Sequence, residues 1–419
     1  MKDNYDVIVI GGGPAGSTTG ALLAEYGHDV LILEKETFPR YHVGESLMPF
    51  CYFSFERLGV VNWLKDSAFP KKYSVQFARQ SGEISKPFYF FQHLDHEAST
   101  TWQVNRDQLD MMLLDNARSK GAEVKEGTKV NRLLKNNGQV CGVNATNGVS
   151  RDIFGKLVID ASGRDVFSQT RKGWRIKDPK LNKVALWTYY KGAKRDTGYD
   201  EGATTVAYLP ENGWFWFIPL QGDLVSVGIV AEKEYLFREG KDEAAIFQRE
   251  IHNNQWIQEH LEGAVCQEEY WATGDYSYRS KYCADDGLLL VGDAFAFLDP
   301  VFSSGVFLAL SSGVNAADAV HEALIDNDVS ASRFNDYGEK MCQGIERMRK
   351  LVYAFYDPEF SFSKVLKKHP ELRSDLTDCL IGDLFDRDFD QLFKTIGEFA
   401  KLPEALSHGR ARETKMLSG

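Results

Sequence analysis

The chain has 419 residues, 43% of them hydrophobic and 26% charged, the balance of a globular protein with room for two or three domains around a large core. Its 49 basic against 60 acidic residues leave a net charge of −11, which argues against nucleic acid and anionic membrane surfaces as partners. No apolar run approaches the length of a membrane span, so no integral membrane segment is expected. The opening MKDNYDVIVI enters a strand at once, which reads against a signal peptide. Six scattered cysteines without C-x-x-C spacing read as reduced thiols of a cytoplasmic protein, with neither zinc nor disulfides.

Tyr5 to Glu34 reads as strand, turn, helix and strand. Val7, Ile8, Val9 and Ile10 form a continuous apolar run, suited to a parallel strand buried on both faces. Gly11, Gly13 and Gly16 follow at G-x-G-x-x-G spacing, and Pro14 and Ala15 open a helix with Leu22 and Tyr26 on one face. Gly11 permits the tight turn, Gly13 lets the backbone approach a pyrophosphate, and Gly16 lets the helix pack on the sheet. The helix N-terminus offers N–H groups and partial positive charge to phosphates. Glu34 ends the second strand, where a carboxylate accepts hydrogen bonds from a ribose and repels a 2′-phosphate, so a dinucleotide other than NADP is expected.

Pro39 and Pro49 break the following loop, KETFPRYHVGESLMP, in which Arg40, His42, Glu45 and Ser46 concentrate polar chemistry. Residues 51–65 read as helix and FPKKYSVQF (69–77) as extended chain. A helix is predicted from Gln108 to Lys120, with Arg106 before it and Gly121 as its stop. Asn137-Gly138 and Asn147-Gly148 are hairpin signals that predict a small antiparallel meander near 124–150. A buried strand over 153–160 ends in Asp160-Ala161-Ser162-Gly163.

From 183 to 231 the strand-like runs VALWTYYKGA, TTVAYLP, WFWFIPL and LVSVGIVAE, separated by turn residues, predict an antiparallel sheet with a broad apolar face. Residues 241–262 read as helix. Leu288–Val291 resume the parallel pattern, Gly292-Asp293 end it, and a helix begins near Ser303. The remainder, 334–419, is mostly helical, with one aromatic edge suited to a lid. The expected organisation is thus α/β: a Rossmann-like dinucleotide domain over 1–180 and 281–330, an inserted antiparallel sheet domain over 181–280 for the substrate, and a helical C-terminal region over 331–419. A second contact such as Asp293, facing a long cofactor from across the sheet, separates a flavin from a nicotinamide. An aromatic content of 13% suits a planar cofactor and an apolar substrate.

GGGPAG, FPRYHVGESL, NRDQLD, DASG and VGDAFAFLDPVFSSGV, in that order over residues 5–310, resemble the successive motifs of the FAD-dependent monooxygenase-like superfamily, in the para-hydroxybenzoate hydroxylase fold. Within it the chain is most similar to flavin-dependent halogenases of phenols and pyrroles, and more distantly to geranylgeranyl reductases. The resemblance implies an FAD-binding domain and carries cofactor contacts onto Gly11, Gly13, Pro14, Ala15, Gly16, Glu34, Lys35, Arg40, Gly44, Glu45, Ser46 and Arg106. It carries them also onto Asp160, Ala161, Ser162, Gly163, Gly292, Asp293, Pro300, Ser304, Gly305 and Val306.

Three further features bear on the halogenase resemblance. Trp214-Phe215-Trp216-Phe217-Ile218-Pro219 fits W-x-W-x-I-P; alternation along a strand puts Trp214, Trp216 and Ile218 on one face, where two indoles can wall the flavin from the substrate. Lys72 matches the lysine that halogenases place beside the substrate, where it donates a hydrogen bond to hypohalous acid or, with its pKa lowered, forms a chloramine. Ser74 stands where the family has glycine, and Lys71 is an adjacent rival. Ser303-Ser304-Gly305 matches the turn whose backbone N–H groups hold the halide, chloride or bromide, while Phe307 replaces a histidine common in phenol halogenases.

The resemblance implies an FAD-dependent oxidoreductase using reduced flavin and O₂ on an electron-rich aromatic or pyrrole, free or tethered to a carrier protein, with Lys72, Trp214, Trp216, Ser304 and Gly305 in the reaction. The flavin is reduced by a separate reductase, since no second nucleotide fingerprint is evident. The alternatives are a hydroxylase, a dehydrogenase or reductase acting on an apolar alkene, and a non-catalytic flavin redox sensor.

Overall fold

The run Val7–Ile10 lies inside β1 (Asn4–Ile10), at the centre of a parallel sheet in the computed structural model, which describes residues 2–274 and 277–413. Gly13 caps α1 (Pro14–Glu25), and the chain returns as β2 (Val30–Leu33), parallel to β1. The helix α2 (Arg106–Ser119) packs on α1, and its strand Glu123–Lys125 extends the sheet beside β2. On the other side β3 (Val149–Asp160) pairs with β1, and Leu288–Leu290 pairs with β3, all parallel. Such strands are apolar without alternation because helices cover both faces of the sheet.

Both Asn-Gly pairs turn hairpins. Asn137 and Gly138 have φ of 49° and 88°, the positive values a type I′ turn requires, and join Lys129–Asn136 to Gln139–Asn147. The latter then pairs antiparallel with the first half of β3, so one long strand serves the meander and then the parallel sheet.

The second sheet is built on β4 (Lys183–Lys191), β5 (Thr204–Tyr208), β6 (Trp214–Pro219) and β7 (Leu224–Glu232), in the spatial order β4-β7-β6-β5. It is mixed where a purely antiparallel sheet was expected. Ser74–Ala78 pairs parallel with β5, and Phe88–Tyr89 follows at the edge, so residues well before 181 complete it. Two expected helices are each split. Gly59, at φ 76°, ends Cys51–Leu58 before Val61–Asp66, and Asn254 caps a fresh start at Gln255–His260 after Glu243–Ile251. Arg106, expected ahead of its helix, is the first residue of α2.

The long helix α3 (Ser304–Ile325) lies against α1, close enough that a Cβ on Gly313 would come 2.9 Å from Ala15 O. Behind it α4 (Asn335–Phe355) brings Val352, Tyr353 and Phe355 into an apolar cluster with Trp187, Trp214, Trp216 and Val301. This cluster joins the second sheet, the start of α3 and the C-terminal helices around one cavity. All six cysteines are free, and no described helix is long and apolar enough to cross a membrane.

Candidate active site

A cavity of about 490 Å³ opens at the carboxyl ends of β1, β2 and β3, where open α/β sheets bind ligands. Its floor is the glycine turn. Gly11 has φ 104°, and a Cβ there would lie 2.4 Å from Ala161 O; a Cβ on Gly16 would lie 2.0 Å from Gly11 O. These two glycines hold helix against sheet. Gly13 differs: a Cβ on it would meet nothing nearer than Arg40 Nη2 at 3.7 Å, and with Pro14 and Ala15 it lines the cavity.

Glu34 and Lys35 line the wall beyond the turn. The Glu34 carboxylate is buried, taking Gly12 N–H at 2.7 Å and Glu36 N–H at 2.9 Å, which leaves lone pairs for ribose hydroxyls. Ala161, Ser162 and Gly163 line the opposite side. Asp160 turns away from the cavity, its carboxylate accepting Ser162 N–H at 3.1 Å and Ser168 N–H at 2.7 Å to shape the turn after β3; it does not line the cavity as expected, whereas Ala161, Ser162 and Gly163 do.

The loop carrying Arg40 to Ser46 is pinned from below. Arg106 grips Asp110 through Nε at 2.8 Å and Nη2 at 3.0 Å, and donates through Nη1 to the carbonyls of Val43 and Gly44 at 2.8 and 3.2 Å. Arg40 Nη1 meets the same carboxylate at 3.1 Å. Burial works to raise the Asp110 carboxyl, but Arg106 and then Arg40 outweigh it and hold it below the usual range. Asp110 was not singled out from the sequence, although its i, i+4 spacing from Arg106 in NRDQLD was the available signal. Burial also drops His42 to about 4, so that its ring is neutral and donates through Nδ1 to Val43 O.

Glu45 and Ser46 sit where this loop meets the second sheet. Burial pushes the Glu45 carboxyl up to about 7, opposed by the bond it accepts from Tyr189 O–H at 2.6 Å. Its other oxygen is buried facing the Ser226 hydroxyl without reaching hydrogen-bond geometry. Tyr189 continues to Tyr41, and Tyr41 accepts Trp187 Nε1–H, so the acid ends a polar chain set in an aromatic wall.

Asp293 reaches the cavity from the far side, with burial lifting its carboxyl to about 6 against the pull of Arg164 and Arg106. Gly292 supplies no wall; a Cβ there would strike Ala15 Cβ at 2.8 Å, and its N–H is held by Ser312 Oγ at 2.9 Å. The following turn carries Pro300, Val301, Ser303, Gly305 and Val306 on the cavity surface. Ser303 is left-handed at φ 57° and starts α3 immediately after. A Cβ on Gly305 would meet nothing within 4 Å, and the Ser304 hydroxyl is buried without a hydrogen-bond partner. The open Gly305 on the cavity surface and the N-terminus of a 22-residue helix offer partial positive charge of the kind that suits a small anion, with the unsatisfied Ser304 O–H one layer behind. Phe307 points elsewhere, packed 6.0 Å from Phe385.

Trp214, Trp216 and Ile218 line the cavity from β6, while Phe215 and Phe217 fill the core on the other face with Phe247 and Trp256. Trp214 Nε1 donates to Tyr356 Oη at 2.8 Å, and Tyr356 O–H donates to Asp299 Oδ2 at 2.9 Å. Asp299 in turn caps Val301 N–H at 3.1 Å. A tyrosine just past α4, for which the sequence offered no signal, thus ties the tryptophan wall to the Ser303–Gly305 turn.

Of the two lysines, Lys71 is exposed and Lys72 is only 2% exposed. Lys72 Nζ donates to Ser46 Oγ at 2.9 Å and Leu47 O at 3.1 Å. Burial lowers its pKa to about 7, with the Cys51 thiol the smaller, opposing influence. Ser74, at the expected glycine position, spends its hydroxyl on Asp200 at 2.9 Å. The structure thus gathers the glycine turn, Glu34, Ala161–Gly163, Asp293, the α3 turn and two indoles around one cavity, with Gly16, Asp160, Gly292, Ser304 and Lys72 in the layer behind.

The residues at this cavity fit FAD: a glycine cradle a side chain would fill, an acid with ribose-facing lone pairs, and a second carboxyl across the sheet. The chain matches the profile of the tryptophan halogenase family over residues 6–96 and 91–364. It is 32% identical to a 1H-pyrrole-2-carbonyl-(peptidyl-carrier protein) chlorinase of Pseudomonas fluorescens, over 97% of each chain. It is also 32% identical to the corresponding brominase of Pseudoalteromonas luteoviolacea, over 91% of this chain and 93% of that one. Among solved structures, the flavin-dependent brominase Bmp2 superposes with a TM-score of 0.86 at 30% identity, covering 94% of this chain and 98% of that one.

Proposed function

This chain belongs to the tryptophan halogenase family of FAD-dependent enzymes, and on that premise we propose that it halogenates an electron-rich pyrrole or related aromatic ring presented on a carrier protein, with chloride or bromide as the halogen source. Reduced FAD and O₂ supply the oxidising equivalent that converts halide to hypohalous acid. We assign the reduced flavin to a separate reductase and the reaction to the cytoplasm.

The observation that carries this reading is that Gly305 at the head of α3 and the glycine cradle line one cavity whose wall is the Trp214–Trp216 face. Backbone N–H groups at Ser304 and Gly305 hold the halide, and the indoles keep the ring from the flavin. Lys72 supplies the proton taken up by the oxygen of hypohalous acid, which leaves as water while the halogen bonds to carbon. The ring proton then returns to Nζ. An amine brought near neutrality by burial suits both transfers. Relatives named as halogenases do not favour the dehydrogenase and sensor alternatives.

The test supplies purified protein with reduced FAD, O₂ and bromide, together with a pyrrolyl-loaded carrier or a phenol trap. Brominated product that disappears in Lys72→Ala is the expected result. Protein that stays colourless with excess FAD, or that brominates equally well without Lys72, overturns it.

A further inference from the structure

Lys72 stands one layer back from the cavity. The wall in front of it is made by Ser46 and Thr204, each 5% exposed, whose hydroxyl oxygens lie 2.8 Å apart. Ser46 Oγ accepts from the Lys72 ammonium at 2.9 Å. Thr204 Oγ1 accepts from Gln103 Nε2 at 2.9 Å, and the same nitrogen donates to Gly202 O, also at 2.9 Å. A carbonyl can only accept, so Gly202 fixes which way the Gln103 amide points.

Counting hydrogens leaves one of them for the cavity. Each hydroxyl carries one hydrogen and two lone pairs. One hydrogen makes the Ser46–Thr204 bond. The other has no acceptor within the network and sits on a hydroxyl at the cavity wall. The remaining Lys72 contacts are Leu47 O, at 3.1 Å, and the Phe90 ring, whose centroid is 5.6 Å away. Among the described residues the titratable group acting on Lys72 is the Cys51 thiol, itself buried and protonated, so no anion among them shares the ammonium.

We propose that Ser46 and Thr204 form a hydroxyl relay through which Lys72 delivers its proton to the oxidant in the cavity, Ser46 donating to Thr204 and Thr204 facing the oxidant, with Gln103 as the positioning residue that holds Thr204. This rests on the role given to Lys72 above and extends it. A proton leaves Nζ for Ser46 as the hydroxyl at the wall gives its own to the oxygen of hypohalous acid. The oxygen–halogen bond breaks, the carbon–halogen bond forms, and water departs. The ring proton retraces the route to Nζ, leaving both hydroxyls as they began. The relay puts a proton donor at the wall while the amine stays sheltered from oxidation.

The test uses the FAD-loaded protein with bromide and a phenol trap, comparing wild type, Ser46→Ala, Thr204→Val, Thr204→Ser and Lys72→Ala. Product is followed across the pH range of the Lys72 transition, a soluble scavenger captures escaping hypobromite, and the bound-flavin spectrum reports folding. Thr204→Val is expected to lose product by about 10²-fold, the scale of a lost general acid, while oxidant still reaches the scavenger. It is also expected to lose the alkaline limb that Lys72 deprotonation imposes. Thr204→Ser keeps the hydroxyl and restores both. Flavin-replete Thr204→Val and Ser46→Ala with wild-type yield and pH profile overturn the relay even where Lys72→Ala is dead, whereas an active Lys72→Ala overturns the reading beneath it.

Discussion

Replacing Lys72 with methionine should stabilise the protein below neutral pH while ending its chemistry. Methionine fills nearly the same space with an unbranched, adaptable chain. The wild-type amine has a pKa near 10.5 when unfolded and about 7 when folded. Between these values the unfolded chain binds a proton that the folded chain does not, so stability rises with pH across that window. Below about pH 7 both states are charged and the folded protein carries the whole cost of burying an ammonium, roughly 5 kcal/mol at 1.36 kcal/mol per unit. Methionine removes that cost and forfeits the bonds to Ser46 and Leu47, worth about 1–3 kcal/mol together or somewhat more because Leu47 O loses its partner. A net gain of about 2 kcal/mol near pH 6 follows, and the roughly 3 kcal/mol that wild type recovers by about pH 9 turns it into a loss of about 1 kcal/mol. For a chain of this size that pH-dependent part is about 3 °C in Tm. Calorimetry of Lys72→Met and wild type at the two pH values checks it; a Tm difference that does not change with pH refutes the reasoning.

Gly305→Ala places a methyl group in open space at the head of α3, so it should leave folding intact or raise stability by up to about 1 kcal/mol, while halide KM rises at least about tenfold; an unchanged halide KM would move the anion elsewhere. Tyr356→Phe strips the partner from Trp214 Nε1–H and from Asp299, at a cost of about 2–4 kcal/mol. The same variant should weaken halide binding, read as a rise in KM with kcat less affected. Glu45 has its carboxyl raised from 4.5 to about 7, so the folded state holds a proton more tightly and loses that stabilisation as pH climbs through 7. Glu45→Gln, which mimics the protonated acid, should therefore gain thermal stability over wild type above pH 7 and little at about pH 5.

Local rules were enough for the parts of this protein that local rules build. The apolar run at 7–10, the three glycines after it and the helix at Pro14 depend on neighbours a few residues apart, and they are legible as such. So are the Asn137-Gly138 turn, the alternating faces of Trp214–Ile218 and the start of a helix near Ser303. Tertiary packing decided what lies between distant segments. Which of Lys71 and Lys72 is buried was decided by the Ser46, Leu47 and Phe90 contacts that enclose Lys72 Nζ, and the fate of Asp160 by the N–H groups that the turn after β3 turned toward it. Thr204, Gln103 and Tyr356 carried no signature, because a lone threonine, glutamine or tyrosine has the same local preferences wherever it sits. Their place comes from hydrogen bonds that span about a hundred residues or more: Thr204 meets Ser46 and Gln103 only because Ser74–Ala78 joins the second sheet, and Tyr356 meets Trp214 only because α4 closes over it. Composition and spacing state what a segment can form alone, whereas a buried polar group takes whichever partner the completed fold brings within reach.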